Sequence, residues 1–232
     1  MKYRRILIKL SGEMLGRRGC GFDREAAAAA VDEILDAVGE GSETALLIGG
    51  GNIIRARDAE WLERLEADYM GMSATLINAL GLKGALRSAG AESVVLSTIN
   101  LPGITEEISP SRADTHLKAG RILIFAGGTG SPYFTTDTAA ALRALQIGAD
   151  LLLKATKVDG IYDRDPETDS AAELLGSEIS FREAAEKNVR IMDPAALSLM
   201  EDNSLPAVIF NFYRKGNLKK VLNGESVGTR IS

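Results

Sequence analysis

The amino-acid sequence predicts an α/β fold, a three-layer α-β-α sandwich whose central sheet is mainly parallel. Short apolar runs alternate with longer helical patterns along the whole chain. The apolar runs show no polar alternation, which is typical of parallel strands that are covered by helices on both faces. No repeat or low-complexity linker interrupts this order, so we expect the 232 residues to form a single domain.

The elements follow from the apolar runs and the patterns between them. The predicted strands are residues 6–10, 44–48, 93–97, 122–126, 150–154 and 206–211. The predicted helices are residues 23–38, 68–89, 111–119, 138–148 and 193–202. Asp23 is expected to cap the first helix, and Asp68, judged alone, to cap the second. Residues 157–180 are polar and rich in turn formers, which indicates a hairpin or a loop insertion.

Composition and charge exclude several classes of protein. The net charge is −5, and no Lys and Arg cluster is interleaved with aromatics, which disfavours nucleic-acid binding. A lone cysteine, Cys20, excludes an internal disulfide and fits a reducing compartment. The single histidine, His116, is expected at the surface, which disfavours catalytic triads that depend on histidine. No apolar stretch approaches the ~20 residues that span a bilayer, so we expect a cytoplasmic protein without a membrane partner.

Glycine-rich or polar segments follow four of the predicted strands. They are residues 9–12, 49–52, 127–137 and 154–160. Glycine after a strand usually marks only a turn. However, the carboxyl ends of parallel strands meet at one edge of the sheet, where ligands of such folds bind. Four segments at the same edge therefore indicate a binding site.

The segment 127–137 reads GGTGSPYFTTD and leads from a strand into a helix. Glycines let the backbone approach a bulky anion, and amides at a helix start point toward it. Asp137 lies beside the hydroxyls of Thr135 and Thr136 in this segment. Anion binding alone would disfavour a carboxylate there, so the segment suggests phosphate chemistry as well as phosphate binding.

Other nucleotide-dependent folds are excluded by their missing motifs. The chain has no Gly-Lys dipeptide and therefore no P-loop, and it has neither H-R-D nor D-F-G of the protein kinases. The dinucleotide fingerprint G-x-G-x-x-G is absent after the first strand. What remains is a phosphate site made of backbone amides, one or two lysines and an acid.

Five ordered motifs resemble one known family. They are KLSGE (9–13), GGGNIIR (49–55), DYMGMSAT (68–75), TGSPYFTTD (129–137) and KATKVDGIY…DP (154–166). Together they look like the bacterial UMP kinases (uridylate kinases) of the amino acid kinase superfamily, over nearly the whole chain. The resemblance implies ATP-dependent phosphorylation of UMP to UDP with Mg²⁺, in pyrimidine nucleotide biosynthesis.

The same resemblance implies a role for each motif residue. Lys9 and Asp137 would be catalytic: Lys9 would contact the transferring phosphoryl group, while Asp137 would orient Lys9 and help to hold Mg²⁺. The implied ATP-binding residues are Lys9, Leu10, Ser11, Gly12, Gly51, Arg55, Thr156, Tyr162 and Asp165. The implied UMP-binding residues are Gly50, Arg55, Asp68, Thr129, Gly130, Ser131, Pro132, Tyr133, Phe134, Thr135 and Thr136. UMP and the phosphates would bind to a lobe of about residues 1–150, and ATP to about residues 151–232.

The segment 16–23 departs from the family pattern. Family members usually carry a glycine-rich stretch ending in Gly-Ile-Asp here, which is tied to activation by GTP. In this chain the stretch is basic, about a residue short, and has Phe22 at the isoleucine position. The catalytic interpretation does not depend on this stretch, whereas activation by GTP does. The family also forms hexamers, which implies a homo-oligomer.

Three alternatives stay open at this level. The acceptor could be N-acetylglutamate, carbamate or aspartate, although the segments 68–75 and 131–137 favour a nucleotide. The same fold also serves as a metal-oxide storage protein that binds ATP, which the joint presence of Lys9 and Asp137 disfavours. A dinucleotide-binding oxidoreductase is the general α/β alternative, and it lacks its fingerprint.

Overall fold

A computed structural model describes residues 2–17, 21–39, 41–55, 59, 61–187, 189 and 192–232. Its strands are β1 (Arg5–Leu10), β2 (Glu43–Ile48), β3 (Ser93–Ser97), β4 (Glu106–Glu107), β5 (Ile122–Ala126), β6 (Leu151–Thr156), β7 (Glu178–Ile179), β8 (Ala207–Asn211) and β9 (Thr229–Ile231). Its α-helices are α1 (Arg24–Ala37), α2 (Arg64–Ser88), α3 (Pro110–Lys118), α4 (Thr136–Ile147), α5 (Phe181–Glu186), α6 (Pro194–Asp202) and α7 (Asn217–Leu222).

The described strands form one sheet in the order β4-β3-β5-β2-β1-β6-β8-β9-β7. Every neighbouring pair in it is parallel except β8 and β9, which are antiparallel. The strands followed by the four glycine-rich or polar segments, β5, β2, β1 and β6, are consecutive neighbours at its centre. The segments at their carboxyl ends therefore meet at one edge, as predicted.

Helices cover both faces of the sheet. One apolar cluster joins alternate residues of β1, such as Ile6 and Ile8, to α1, α2 and α7. A second cluster joins Leu7, between them, to the buried faces of α3, α4, α5 and α6. The side chains of a strand alternate between faces, so β1 contributes to both layers. The predicted three-layer α-β-α sandwich is confirmed.

The start of α2 differs from the prediction. The helix begins at Arg64 with Glu63 in the capping position, so the expected capping role of Asp68 is wrong. The residues before Asp68 are good helix formers, and Ala67 is buried, so the chain continues the helix by a further turn. Asp68 therefore lies within α2, about one turn after its first residue. By contrast, Asp23 caps α1, its side chain accepting the amide hydrogen of Ala26 at 2.7 Å.

Several short elements were not predicted. The short strands β4, β7 and β9 and the short helices α5 and α7 hold only two to six residues each. Elements of this length show no usable periodicity. The segment 157–180 forms the expected turn-rich insertion, with one antiparallel bridge between Tyr162 and Leu174.

His116 is not the solvated surface residue expected from the sequence. Its side chain is only 12% exposed, and it contacts Glu106 of the edge strand β4. The ring lies 3.1 Å from the carboxylate of Glu106 and 3.1 Å from the guanidinium of Arg121.

Only part of the segment 16–23 is described. Arg18, Gly19 and Cys20 lie outside the described residues, and the expectation for Cys20 falls there with them. Phe22 packs against α2, where a side chain at Gly81 would collide with its ring. Among the described helices, none is both long enough and apolar enough to cross a membrane.

Candidate active site

Two lysines and an aspartate meet at the carboxyl edge of the sheet. Lys9 of β1 and Lys154 of β6 are direct register partners on neighbouring strands. Each lies between two residues of the first apolar cluster, so both side chains point to the opposite face of the sheet, which α4 covers. Asp137, in the first turn of α4, contacts both: Oδ1 lies 3.1 Å from Nζ of Lys9 and Oδ2 2.7 Å from Nζ of Lys154.

The charges of this cluster are strongly coupled. Burial alone would raise the pKa of Asp137, but the charges of Lys9 and Lys154 outweigh it and hold that pKa at about 2. Burial lowers the pKa of Lys154, and Asp137 works in the opposite direction. Asp137 is therefore a carboxylate at neutral pH, and two positive charges surround it.

Hydrogen bonds from a second helix hold the start of α4. Thr135 caps α4, and its hydroxyl oxygen accepts the amide hydrogen of Asp137 at 3.0 Å. The same hydroxyl donates to the carboxylate of Asp193, the capping residue of α6. Thr138 also donates to Asp193, at 2.9 Å. Asp193 thus links the first turns of α4 and α6 and positions the helix that carries Asp137.

Two cavities meet at Lys9 and Ser11, which line both. We call them the β6 cavity and the β2 cavity after the strands from which they open. The β6 cavity has a volume of about 710 Å³, and the β2 cavity about 650 Å³. Volumes of this size hold small organic ligands. The arrangement can therefore hold two ligands with Lys9 between them.

The predicted site residues divide between these cavities. The β6 cavity is lined by Lys9, Ser11, Thr156, Tyr162 and Asp165 of the predicted set. The β2 cavity is lined by Lys9, Ser11, Gly12, Gly50, Gly51, Arg55, Asp68, Thr129, Ser131, Phe134, Thr135, Thr136 and Asp137. Gly12 and Gly51, expected near ATP, thus lie on the β2 side, as does Arg55, which was expected to contact both nucleotides.

A few predicted residues line neither cavity. Gly130, Pro132 and Tyr133 belong to the loop after β5 but are absent from both linings. The side chain of Leu10 is fully buried in the apolar core, so only its backbone can face a ligand.

Asp68 ties α2 to the loop after β5. Its Oδ2 accepts the backbone amide hydrogen of Tyr133 at 2.8 Å and the Nε hydrogen of Arg64 at 2.9 Å. Tyr133 has a positive φ of 71°, a conformation that non-glycine residues seldom adopt. The carboxylate of Asp68 therefore stabilises an unusual turn as well as lining the β2 cavity.

Thr156 and Asp165 already have local partners in the β6 cavity. The hydroxyl of Thr156 donates to backbone carbonyls in its own turn and in β8, at 2.9 and 3.0 Å. The carboxylate of Asp165 accepts the amide hydrogen of Glu167 at 2.9 Å. Thr156 shapes the wall, whereas the exposed Asp165 keeps acceptor capacity for a ligand hydroxyl.

Arg55 forms an ion pair with Glu13, a residue of the short 3₁₀ turn after β1. Glu13 also accepts from Lys157 at 3.0 Å. The contact holds the Arg55 guanidinium at the rim of the β2 cavity, beside Gly51. A phosphate entering this cavity would compete with Glu13 for the guanidinium, because planar forks bind both anions well.

Close packing explains some of the glycines. A Cβ on Gly50 would lie 2.7 Å from the carbonyl oxygen of Gly71 in α2. A Cβ on Gly12 would lie 2.7 Å from the carbonyl oxygen of Gly49. The buried amides of Asn52 and Asn78 bond to each other, and Asn78 also donates to the carbonyl of Gly49 at 2.8 Å. The loops after β1 and β2 are therefore held in contact.

The described side chains contain no group of three or more His, Cys, Asp or Glu that could hold a metal ion. Both carboxylate oxygens of Asp137 face lysines. The residues therefore fit a magnesium ion that is bound mainly by nucleotide phosphates, as is usual for Mg²⁺, rather than one held in a protein cage.

Sequence reasoning assigned no role to Lys154, Asp193 or Glu13, although Lys154 and Glu13 belong to quoted motifs. A signal for Lys154 was present, because a lysine interrupts the apolar run of a central strand, as Lys9 does in β1. Recognising the pair required the register between the two strands. Nothing local in the sequence distinguishes Asp193 from an ordinary helix cap.

Comparisons with known proteins agree with this geometry. Residues 4–211 match the amino acid kinase family. The structure of a UMP kinase from Bacillus anthracis is 38% identical, with a TM-score of 0.95, over 100% of this chain and 97% of that chain. A UMP kinase from Ureaplasma parvum is 32% identical, with a TM-score of 0.91, over 100% of both chains. A uridylate kinase from Archaeoglobus fulgidus is 25% identical, with a TM-score of 0.74, over 98% of this chain and 99% of that chain.

Proposed function

Because this chain belongs to the amino acid kinase family, we propose that it transfers the γ-phosphoryl group of ATP to UMP and releases ADP and UDP. One observation carries the proposal: Lys9 lies in the wall shared by two nucleotide-sized cavities and is held there by Asp137. The β6 cavity would bind ATP, with Tyr162 against the adenine and Asp165 on the ribose. The β2 cavity would bind UMP.

The roles of the acceptor site follow its lining. Asp68 would accept a hydrogen bond from the UMP ribose, and residues 129–136 would surround the nucleotide. Thr135 or Thr136 would bind the phosphate at the start of α4, where amides point toward an anion. When UMP binds, the guanidinium of Arg55 would release Glu13 and bind the UMP phosphate instead.

The chemical step needs alignment and charge stabilisation rather than a base. A phosphate monoester has a second pKa of about 6, so an oxygen of UMP is already negatively charged at neutral pH. This oxygen would attack the γ-phosphorus in line with the bond to the leaving ADP oxygen. Asp137, with its pKa at about 2, is a poor proton acceptor and acts instead as the charge partner that orients Lys9.

Positive groups would stabilise the charge that spreads over the transferring phosphoryl oxygens. Lys9 lies in the shared wall, and Lys154 lines the ATP side. The amides of residues 49–51 would add hydrogen bonds from the loop after β2. Mg²⁺ bound to ATP would neutralise further charge on the β- and γ-phosphates.

The proposal assigns the two nucleotides to different parts of the chain and also includes an oligomeric state. About residues 1–150 would bind UMP, and about residues 151–232 would bind ATP, in a pyrimidine-biosynthetic enzyme of the cytoplasm. A homo-hexamer would bury apolar side chains that α2 exposes: Leu65, Tyr69 and Ile77 are 40%, 50% and 55% exposed. Sedimentation of the full chain, compared with a Leu65→Asp variant, tests this part of the proposal.

The decisive experiment measures ADP formation from ATP and Mg²⁺ with each acceptor separately. We expect UMP to give the fastest turnover, with CMP, N-acetylglutamate, carbamate and aspartate far slower. Equal or faster turnover with one of the acids would refute the assignment of the acceptor. Parallel measurements with and without GTP show whether the altered segment 16–23 still supports activation.

A further inference from the structure

Arg143 of α4 carries a buried positive charge that the proposed chemistry does not use. Only 5% of the residue is exposed, and burial lowers the pKa of its guanidinium. Among the described residues, no carboxylate forms an ion pair with it. Burying an unpaired charge is strongly unfavourable, so the hydrogen bonds of this guanidinium must offset a large desolvation penalty.

The guanidinium of Arg143 binds the loop that follows β5. Its Nη2 donates to the carbonyl oxygens of Gly128 and Thr129, at 3.1 and 3.2 Å. Its Nη1 donates to the side chain of Gln146, one turn further along α4, at 2.6 Å. Gly128 and Thr129 line the β2 cavity, whereas Arg143 does not. Arg143 therefore acts on the cavity only through the loop.

This loop adopts a conformation that needs external support. Gly127, Gly128 and Gly130 have φ values of 78°, 61° and 91°, in the left-handed region that glycine alone enters easily. Gly127 is held by Thr75, whose hydroxyl accepts its amide hydrogen at 2.7 Å. Among the described residues, only Arg143 donates hydrogen bonds to the next two carbonyls.

The orientation of these carbonyls determines the orientation of the adjoining amides. The described chain has no cis peptide bonds, and in a trans peptide the C=O and N–H groups point in opposite directions. Turning the carbonyl of Gly128 toward Arg143 therefore turns the amide of Thr129 away from α4. We propose that Arg143 is a positioning residue for acceptor selectivity, which presents this amide to the nucleobase.

The chemistry of the bases gives the proposal its direction. A fixed N–H donor favours a carbonyl acceptor, which uracil has at C4, and disfavours the amino group that cytosine carries there. Without Arg143 the carbonyls of Gly128 and Thr129 would lose the donor that orients them, and the peptide group between these two residues would no longer be fixed. The loss would fall on discrimination between UMP and CMP. The inference rests on the proposed function, because it assumes a nucleotide acceptor.

The test compares three variants of the full chain: Arg143→Met, Arg143→Lys and, as the matched control, Gln146→Ala. Arg143→Met removes both loop contacts, whereas Arg143→Lys keeps the charge on a side chain that is one bond shorter and does not place its nitrogen where Nη2 lies. Gln146→Ala removes a partner of Nη1 and leaves the loop contacts in place. The readouts are kcat and KM for UMP, CMP and ATP.

We expect Arg143→Met to lower the ratio of kcat/KM for UMP over CMP by about tenfold, the scale of one lost hydrogen bond. The KM for ATP should stay unchanged, Arg143→Lys should be intermediate, and Gln146→Ala should keep the parent ratio. A purely structural role would reduce both acceptors equally and leave the ratio unchanged, which would overturn the inference.

Two failures remain distinguishable. If the parent enzyme phosphorylates no nucleotide, the proposed function fails. If the parent prefers UMP but the variants keep its preference, only the role of Arg143 fails. Should Arg143→Met not fold, Arg143→Lys alone decides, because an unchanged ratio in that variant contradicts the need for the two contacts of Nη2.

Discussion

Replacing Asp137 by asparagine should destabilise the protein as well as inactivate it. The carboxylate contacts the ammonium groups of Lys9 and Lys154, at 3.1 and 2.7 Å, and all three side chains are at most 16% exposed. Asparagine keeps the shape but loses the charge. Its amide can offer an oxygen to one lysine and must turn an NH₂ group toward the other. Two buried positive charges would then lose the carboxylate that they share.

The magnitude follows from the loss of one partner of a buried ion pair, which costs about 3–5 kcal/mol. In a domain of this length each kcal/mol lowers the melting temperature by roughly 2–4 °C. We therefore expect Asp137→Asn to melt about 6–20 °C below the parent protein. Turnover should fall by roughly 10²–10³, the scale for losing one preorganised charge-stabilising interaction, because Lys9 loses its orientation.

Thermal unfolding followed by circular dichroism at neutral pH measures the stability change. The exposed Asp202, at the end of α6, provides the matched control, since Asp202→Asn should leave the melting temperature unchanged. The double variant Asp137→Asn/Lys154→Met should regain part of the loss, because it removes one of the two buried cations that the residue at position 137 no longer neutralises. An Asp137→Asn protein as stable as its parent, with no gain in the double variant, would refute the ionic description of the cluster.

Further predictions concern the same edge of the sheet. Lys9→Ala should lower the rate of the chemical step by roughly 10²–10³, measured in single-turnover experiments, and near-parental turnover would contradict its assignment. Asn78→Ala should lower the free energy of unfolding, measured in urea, by about 2 kcal/mol or more, because the buried Asn52 amide and the Gly49 carbonyl lose their hydrogen-bond partner. An unchanged unfolding midpoint would argue against the buried amide pair. Gly50→Ala should raise the KM for UMP and lower the melting temperature, because its Cβ would lie 2.7 Å from the carbonyl oxygen of Gly71. Unchanged values of both would mean that α2 can move to accommodate the methyl group. The pKa of Asp137 lies at about 2 in the folded protein, below the ordinary value of about 3.9. The stability that Asp137 contributes should therefore be complete above about pH 4 and decline as the pH falls toward 2, a decline that Asp137→Asn should lack in acid titrations.

The sequence predicted the central strands and the meeting of their carboxyl ends at one edge, because both depend on short stretches of neighbouring residues. Each run such as residues 122–126 is apolar throughout and is followed at once by its glycine-rich segment. The short strands β4, β7 and β9 were not predicted, because two or three residues cannot show a hydrophobic period. Asp68 was misplaced because a capping residue and a helix-interior acid look alike until the buried face of the helix is known.

The partners within the site could be predicted only in part. The pairing of Lys9 with Asp137 came from a resemblance, and their separation of 3.1 Å agrees with it. The contact of Lys154 depends on strand register, and that of Asp193 depends on how two helices dock. Arg143 would have read as an ordinary helix-surface charge, since its burial results from packing against a loop distant from its own turn. Such relations arise from tertiary structure and leave no local pattern.

The register between β1 and β6 also makes the cluster around Asp137 depend on contacts between distant parts of the chain. Lys9 and Lys154 are direct partners on neighbouring strands, although most of the chain separates them in sequence. A pairing shifted by one residue would turn a lysine to the opposite face of the sheet. A truncated chain that lacks β6 would keep Lys9 and Asp137 but would lose the second lysine and much of the wall of the β6 cavity.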